Sequence, residues 1–119
     1  MKPSALFASA ASLLAGSASA FQGQMAASTY NVYEGRTFQF ITLTDYNTGS
    51  VYQGELWGGF NGCVDSHCSI QFGEISSGNY NFAASMWRTD DGCHNIDFQG
   101  ALDAHHGYCC GSLPCDFSA

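Results

Sequence analysis

Hydrophobic and polar side chains alternate along several short stretches of the sequence. Such alternation is typical of β-strands, because successive side chains of a strand point to opposite faces of a sheet. It predicts strands at Arg36–Thr44, Val51–Trp57, Ser69–Gly73, Tyr80–Trp87 and His94–Phe98. Ile70 and Phe72 should share one face of their strand, as should Tyr80, Phe82, Ala84 and Met86, and the last short strand contains Ile96 and Phe98.

Turn sequences separate these predicted strands. Gly, Asn, Asp and Ser are concentrated at Asp45–Ser50, Ser76–Asn79 and Asp90–Gly92, and these residues favour tight turns. Long helical periodicity is missing after residue 20, and we expect at most one helical turn, at Ala101–His106. The pattern therefore predicts an all-β fold, a small antiparallel meander that forms either a sandwich or a barrel.

Residues 1–20 have the layout of a secretory signal peptide. Lys2 provides a positive charge, Ala5–Ala15 is apolar, and Ala18-Ser19-Ala20 has the small residues of a cleavage site. No other apolar run approaches the roughly 18 residues of a membrane span. We therefore expect a secreted, extracellular protein that begins at Phe21. Residues 21–119 would form a single disulfide-rich β domain, with a loose N-terminal arm at residues 21–29.

The charge balance limits the partners that this protein can bind. The chain has 119 residues, with 3 Lys or Arg against 10 Asp or Glu and a net charge of −7. Loss of Lys2 with the signal would leave Arg36 and Arg88 as its basic residues apart from His. This excludes nucleic-acid binding through phosphate neutralisation and opposes attraction to anionic membranes. We expect a monomer that binds a neutral or basic extracellular protein or glycan.

Six cysteines in so short a secreted chain predict three disulfides. Zinc bound by Cys and nearby His is the alternative, but the chain has no CxxC pair. Cys109 and Cys110 are adjacent and are not expected to bond to each other. Our hypothesis for the connectivity is Cys63–Cys68, Cys110–Cys115 and Cys93–Cys109.

Candidate catalytic groups are sparse. The sequence has neither a GxSxG nor an HExxH motif. Its densest ionisable patch, Asp103 with His105 and His106, could serve a small secreted hydrolase or could be a solvated loop. A glycosidase needs two carboxylates that face one cleft, and the candidates by residue type are Glu34, Glu55 and Glu74. We therefore expect a protein that is not an enzyme and holds no cofactor. We also expect no bound metal, since the Asp45–Ser50 turn lacks the acidic spacing of a calcium loop.

Aromatic residues in the Gly-rich stretch YQGELWGGFNG are the better candidates for a binding site. Tyr52, Trp57 and Phe60 lie there, and glycines flank Trp57. Trp57 either packs in the core at the end of a strand or forms an exposed platform. If it is exposed, it could stack on sugar rings together with Tyr52, as in a glycan-binding module of the cell wall, or anchor a protein interface.

The whole chain resembles the fungal small secreted cysteine-rich proteins of the effector-like kind. The resemblance rests on the signal MKPSALFASAASLLAGSASA, a mature part with six cysteines that include Cys109-Cys110, and the β-rich pattern. It implies a protease-resistant protein that binds a host or competitor target outside cells and is not an enzyme.

A second resemblance is to the βγ-crystallin type of secreted killer toxin or antimicrobial protein. Tyr52-QGEL-Trp57-Gly58-Gly59 fits the spacing of that family's Greek-key signature. The resemblance implies a crystallin-like β fold, although such folds use paired motifs and the chain shows one clear copy.

Overall fold

A computed structural model of the protein describes residues 20–76 and 78–119. Residues 1–19, which are all but the last residue of the predicted signal peptide, lie outside the described residues, as does Ser77 in a predicted turn. The described residues form nine β-strands. These are β1 Gln22–Ala27, β2 Asn31–Tyr33, β3 Arg36–Asp45, β4 Val51–Trp57, β5 Cys68–Glu74, β6 Asn81–Arg88, β7 Cys93–Asp97, β8 His106–Cys110 and β9 Cys115–Ser118. Two short 3₁₀ turns occur at Phe60–Gly62 and Ala101–Asp103.

The strands form one antiparallel sheet that is nearly closed into a barrel. Their order is β9–β1–β3–β4–β5–β6–β7–β8, and β2 pairs with the start of β3. The two end strands, β8 and β9, are joined by the Cys109–Cys115 disulfide. The all-β prediction is confirmed, and of its two alternatives the structure has the barrel-like one.

All five predicted strands are present, with ends that differ by at most one residue. Four further strands were not predicted: β1, β2, β8 and β9. The loose arm predicted at residues 21–29 is wrong, because most of it is β1, which pairs with both β3 and β9. Phe21 and Met25 are fully buried there, and burial of two large apolar side chains stabilises the segment by several kcal/mol.

Inward side chains of the strands fill the barrel with aromatic rings. Phe21 lies 5.0 Å from both Phe98 and Phe117, measured between ring centres, and Phe72 lies 5.2 Å from Phe82. The residues predicted to share a face are buried together inside the barrel, except for Tyr80, which is 41% exposed and precedes β6. Within the described ranges, no helix has the length and apolar character that a membrane crossing requires.

All six cysteines are paired in three disulfides. The Cys63–Cys68 prediction is confirmed, but the other two predicted pairs are wrong, since Cys93 bonds to Cys110 and Cys109 to Cys115. The alternation of side chains along β8 explains the exchange. Cys110 points outward and lies opposite Cys93 in the β7–β8 ladder, whereas Cys109 is buried and faces β9.

Candidate functional site

A groove of about 500 Å³ lies on the outer face of the sheet between β4 and β5. Pairing of these two strands covers Tyr52–Glu74, Gln53–Gly73 and Gly54–Phe72. The groove begins at Gln53 and Gly54, where this ladder stops, and extends toward the end of β4 and the start of β5. Its walls combine two aromatic rings with polar side chains, namely Phe40, Trp57, Gln53, Glu55, Ser69 and Gln71.

The alternation of β4 places Trp57 on this outer face. Tyr52, Gly54 and Leu56 are buried inside the barrel, so that Gln53, Glu55 and Trp57 point outward. Of the two interpretations of Trp57, core residue or exposed platform, the structure places it on the surface, where it is partly buried. Trp57 is therefore accessible to a ligand in the groove.

Two neighbours from β3 hold the Trp57 ring. The ring of Phe38, its partner in the β3–β4 ladder, lies 4.7 Å away at an angle of 42°. The guanidinium carbon of Arg36 lies 4.4 Å from the centre of the Trp57 ring, which is a cation–π contact. Phe40 packs edge-on against Phe38 at 5.2 Å. These contacts fix the orientation of Trp57 before any ligand binds.

A second groove, of about 360 Å³, adjoins the first. It is lined by Asn31, Val32 and Tyr33 of β2 and by Phe38, and it shares Glu55 and Trp57 with the first groove. Val32 is 70% exposed and Tyr33 is 61% exposed. Trp57 and Glu55 line both grooves and thus form the ridge between them.

The other two aromatic candidates lie in the core. Tyr52 is 5% exposed and Phe60 is 3% exposed. The ring of Phe60 packs edge-on against His94 at 4.7 Å, and its backbone N–H donates to Oε1 of Gln39 at 2.9 Å. Neither ring is available to a ligand at the surface.

The ionisable candidates do not converge. Within the described part of the chain, no hydrogen bond or ion pair joins Asp103 to His105 or His106, and no group of three His, Cys, Asp or Glu side chains could hold a metal ion. His106 instead pairs its Nε2 with Oδ1 of Asn95 at 2.9 Å. Of the three candidate glutamates, Glu55 lines the groove, while Glu34 lies in the β2–β3 turn and Glu74 at the end of β5.

Sequence reasoning missed a row of nearly parallel rings on the outer face of β5–β8. The His67 and Trp87 rings are 3.5 Å apart at 8°, Trp87 and His106 are 5.5 Å apart at 14°, and His106 and Tyr108 are 5.9 Å apart at 27°. We call these four residues the outer aromatic row. Trp87 could have been placed on the outer face from the alternation of β6, but its neighbours depend on the register of β8.

Arg88 and His94 form a partly buried pair at one end of the barrel. They are partners in the β6–β7 ladder. Arg88 Nε and His94 Nδ1 are both buried without a hydrogen-bond partner among the described residues. Burial, together with the nearby Arg88 charge, lowers the pKa of His94, and a hydrogen bond with the Cys109 backbone opposes this shift. Burial and the Arg88 charge both favour the neutral imidazole of His94.

Comparisons of the chain with models of known protein families, with curated proteins and with solved structures find no match.

Proposed function

We propose that this chain is a secreted, non-enzymatic binding protein, and that it holds a neutral glycan in the groove beside Trp57. The observation that carries the proposal is the composition of that groove. It places the rings of Trp57 and Phe40 next to the uncharged polar side chains of Gln53, Gln71 and Ser69.

This combination matches the chemistry of a sugar. A sugar ring has apolar C–H faces that pack on aromatic rings, and its hydroxyl groups both donate and accept hydrogen bonds. Amide and hydroxyl side chains also do both, and such groups set specificity in ligand sites. Because the net charge of the chain is −7, an uncharged ligand meets less repulsion than an anionic one.

The number of carboxylates that line the groove favours binding of the glycan over its hydrolysis. Glycosidases flank the scissile bond with two carboxyl groups that are about 5–9.5 Å apart. Among the described residues that line the groove, Glu55 is the one that carries a carboxylate. The three disulfides support an extracellular site of action, because disulfides persist in oxidising compartments.

Binding of secreted protein to insoluble chitin, cellulose and β-glucan tests the proposal. We expect the wild type to bind at least one of them. Trp57→Ala should weaken that binding about thirtyfold, which corresponds to about 2 kcal/mol for a central aromatic anchor. Trp57→Phe should retain part of the affinity because it keeps a ring.

Tyr46→Ala is the matched control, because it removes an aromatic ring that is 57% exposed and lies in the β3–β4 turn, outside the groove. A folded Trp57→Ala variant that binds as tightly as the wild type would contradict the proposed site. Failure of the wild type to bind any neutral glycan would contradict the proposed function.

A second candidate function is an effector-like one, in which the target is a host or competitor protein. The exposed side chains of Val32 and Tyr33, beside the second groove, favour it, since exposed apolar side chains at a groove often mark protein contacts. Affinity capture from extracellular fluid should then recover a defined protein with the wild type. Val32→Asp should lose this partner and keep glycan binding.

A further inference from the structure

We infer that the ligand of the groove is a glycan chain of several sugar units, which continues from Trp57 over Ser69 and Ser85 onto the outer aromatic row. The inference rests on the proposed function and adds the size of the ligand and a second contact region. It also assigns a role to His67 and Trp87, which lie outside the groove itself.

The register of the sheet connects the two regions. Ser69 lines the groove and is paired with Ser85 across the β5–β6 ladder. Ser69 is exposed and precedes the buried Ile70, and Ser85 lies between the buried Ala84 and Met86, so that both serines point outward. Neighbouring strands are about 4.8 Å apart, so that a chain leaving the groove at Ser69 meets Ser85 within one further strand.

The outer aromatic row begins next to Ser85. Trp87 lies two positions after Ser85 on the same face of β6, which corresponds to about 6.6 Å along the strand. The His67 ring is stacked on Trp87 at 3.5 Å. His67 itself is exposed, and the adjacent Cys68 is bonded to Cys63, which restrains this loop. The two stacked rings therefore form a preorganised aromatic surface at a fixed distance from the groove, with the His67 ring covering one face of Trp87.

Charge and composition favour a neutral polymer as the occupant of this path. Between the two aromatic regions the path crosses the hydroxyl groups of Ser69 and Ser85, and the Ser85 hydroxyl accepts a hydrogen bond from Gln99 Nε2 at 2.7 Å. Asp97 is paired with Ser85 in the β6–β7 ladder, and the net charge of the chain is −7, so that a polyanion is opposed here. A polysaccharide repeats the same apolar faces and hydroxyl groups along its length. It can therefore contact Trp57 and the His67–Trp87 pair at the same time, which raises affinity through multivalency.

A series of oligosaccharides of increasing length, cut from the polysaccharide that the wild type binds, tests the inference by calorimetry. We expect the affinity of the wild type to keep rising after the groove is filled, by about tenfold in total. Trp87→Ala and His67→Ala should remove this rise and leave the affinity for the shortest ligand unchanged. Trp57→Ala should weaken all lengths, and Tyr46→Ala none.

Thermal unfolding first establishes that each variant is folded. If Trp87→Ala is not folded, the exposed His67→Ala variant decides the outcome. A length dependence in His67→Ala that equals that of the wild type would overturn the inference and leave the groove as the glycan site. A wild type that binds no oligosaccharide of any length would overturn the proposed function and this inference with it.

Discussion

The guanidinium group of Arg36 lies over the indole ring of Trp57, with its central carbon 4.4 Å from the ring centre. Both residues belong to the outer face, and Phe38 packs against the same ring at 4.7 Å. A cation over an indole face is attracted by the ring quadrupole, and this contact stabilises the fold by about 0.5–1 kcal/mol at exposed sites. One of the few basic side chains of an acidic protein thus fixes the aromatic anchor of the candidate site.

Removal of this cation should release the Trp57 ring. We expect Arg36→Gln to lower the free energy of unfolding by about 0.5–1 kcal/mol and to change the fluorescence emission of Trp57. The chain has 2 Trp, so that the measurement is made in a Trp87→Phe background. Arg36→Lys keeps a cation and should show a smaller change. Identical emission of Arg36→Gln and its parent would contradict the contact.

Trp57 should be less important for stability than a ring inside the barrel. Phe72 is fully buried, and truncation of such a ring typically costs about 3–5 kcal/mol. Trp57 lies partly exposed on the outer face, and we expect Trp57→Ala to cost about 1–2 kcal/mol, within the usual range of single substitutions. Urea unfolding of Trp57→Ala and Phe72→Ala measures the difference in the free energy of unfolding. Equal losses would show that Trp57 is a core residue.

The strands that the sequence revealed are those with β-branched or aromatic residues in strict alternation. β5, in which the buried Ile70 and Phe72 alternate with the exposed Ser69 and Gln71, is an example. β1 escaped prediction because its sequence, QGQMAA, has no β-branched or aromatic residue and has a glycine at an inward position. β8 contains Gly107 and adjacent cysteines. Because β8 was not predicted as a strand, the sequence did not show that Cys109 and Cys110 point in opposite directions. The two disulfide pairs predicted for these cysteines were therefore wrong.

The candidate site was only partly within reach of sequence reasoning. Tyr52 and Trp57 are separated by an odd number of positions in one strand, so that they must face opposite sides of the sheet. The two-residue period of a strand therefore excludes a binding surface that Tyr52 and Trp57 share. The outer aromatic row is different, because His67, Trp87 and His106 come from three separate segments, and their meeting depends on the register of the whole sheet.

The disulfide connectivity can be checked directly. Partial reduction and differential alkylation, followed by mass spectrometry, should give the pairs Cys93–Cys110 and Cys109–Cys115. Loop closure predicts that loss of Cys93–Cys110, with a sequence separation of 17, costs about 3 kcal/mol, against about 2 kcal/mol for Cys109–Cys115, with a separation of 6. Recovery of a Cys93–Cys109 peptide would contradict the assignment of faces in β8.

The pKa of His94 predicts how stability depends on pH. Burial and the Arg88 charge lower this pKa below the ordinary value of 6.5. Below pH 6.5 the unfolded chain therefore binds a proton at this position more readily than the folded chain does. We expect stability to be retained above that pH and to fall as the pH drops toward the pKa of the folded state.

Melting temperatures between pH 7 and pH 5 measure this effect. His94→Gln has no titrating ring, and its melting temperature should decrease less over this range than that of the wild type. Arg88→Gln should also reduce the dependence, since it removes the second cause of the shift. A steeper decrease in His94→Gln than in the wild type would show that His94 is not held in its neutral form.

The two end strands of the sheet, β8 and β9, approach each other closely at Gly107. Gly107 lies in β8, where a Cβ atom would come within 2.6 Å of the Ser118 carbonyl oxygen and 2.8 Å of the Ala119 Cβ. Such contacts require β8 and β9 to move apart, and a methyl group forced into a packed site costs about 1–3 kcal/mol. We expect Gly107→Ala to lower the melting temperature by several degrees. Gly62→Ala is the matched control, because a Cβ atom there would meet nothing within 4 Å. Equal melting temperatures of the two variants would mean that β8 and β9 do not approach each other closely, and that the barrel is open between them.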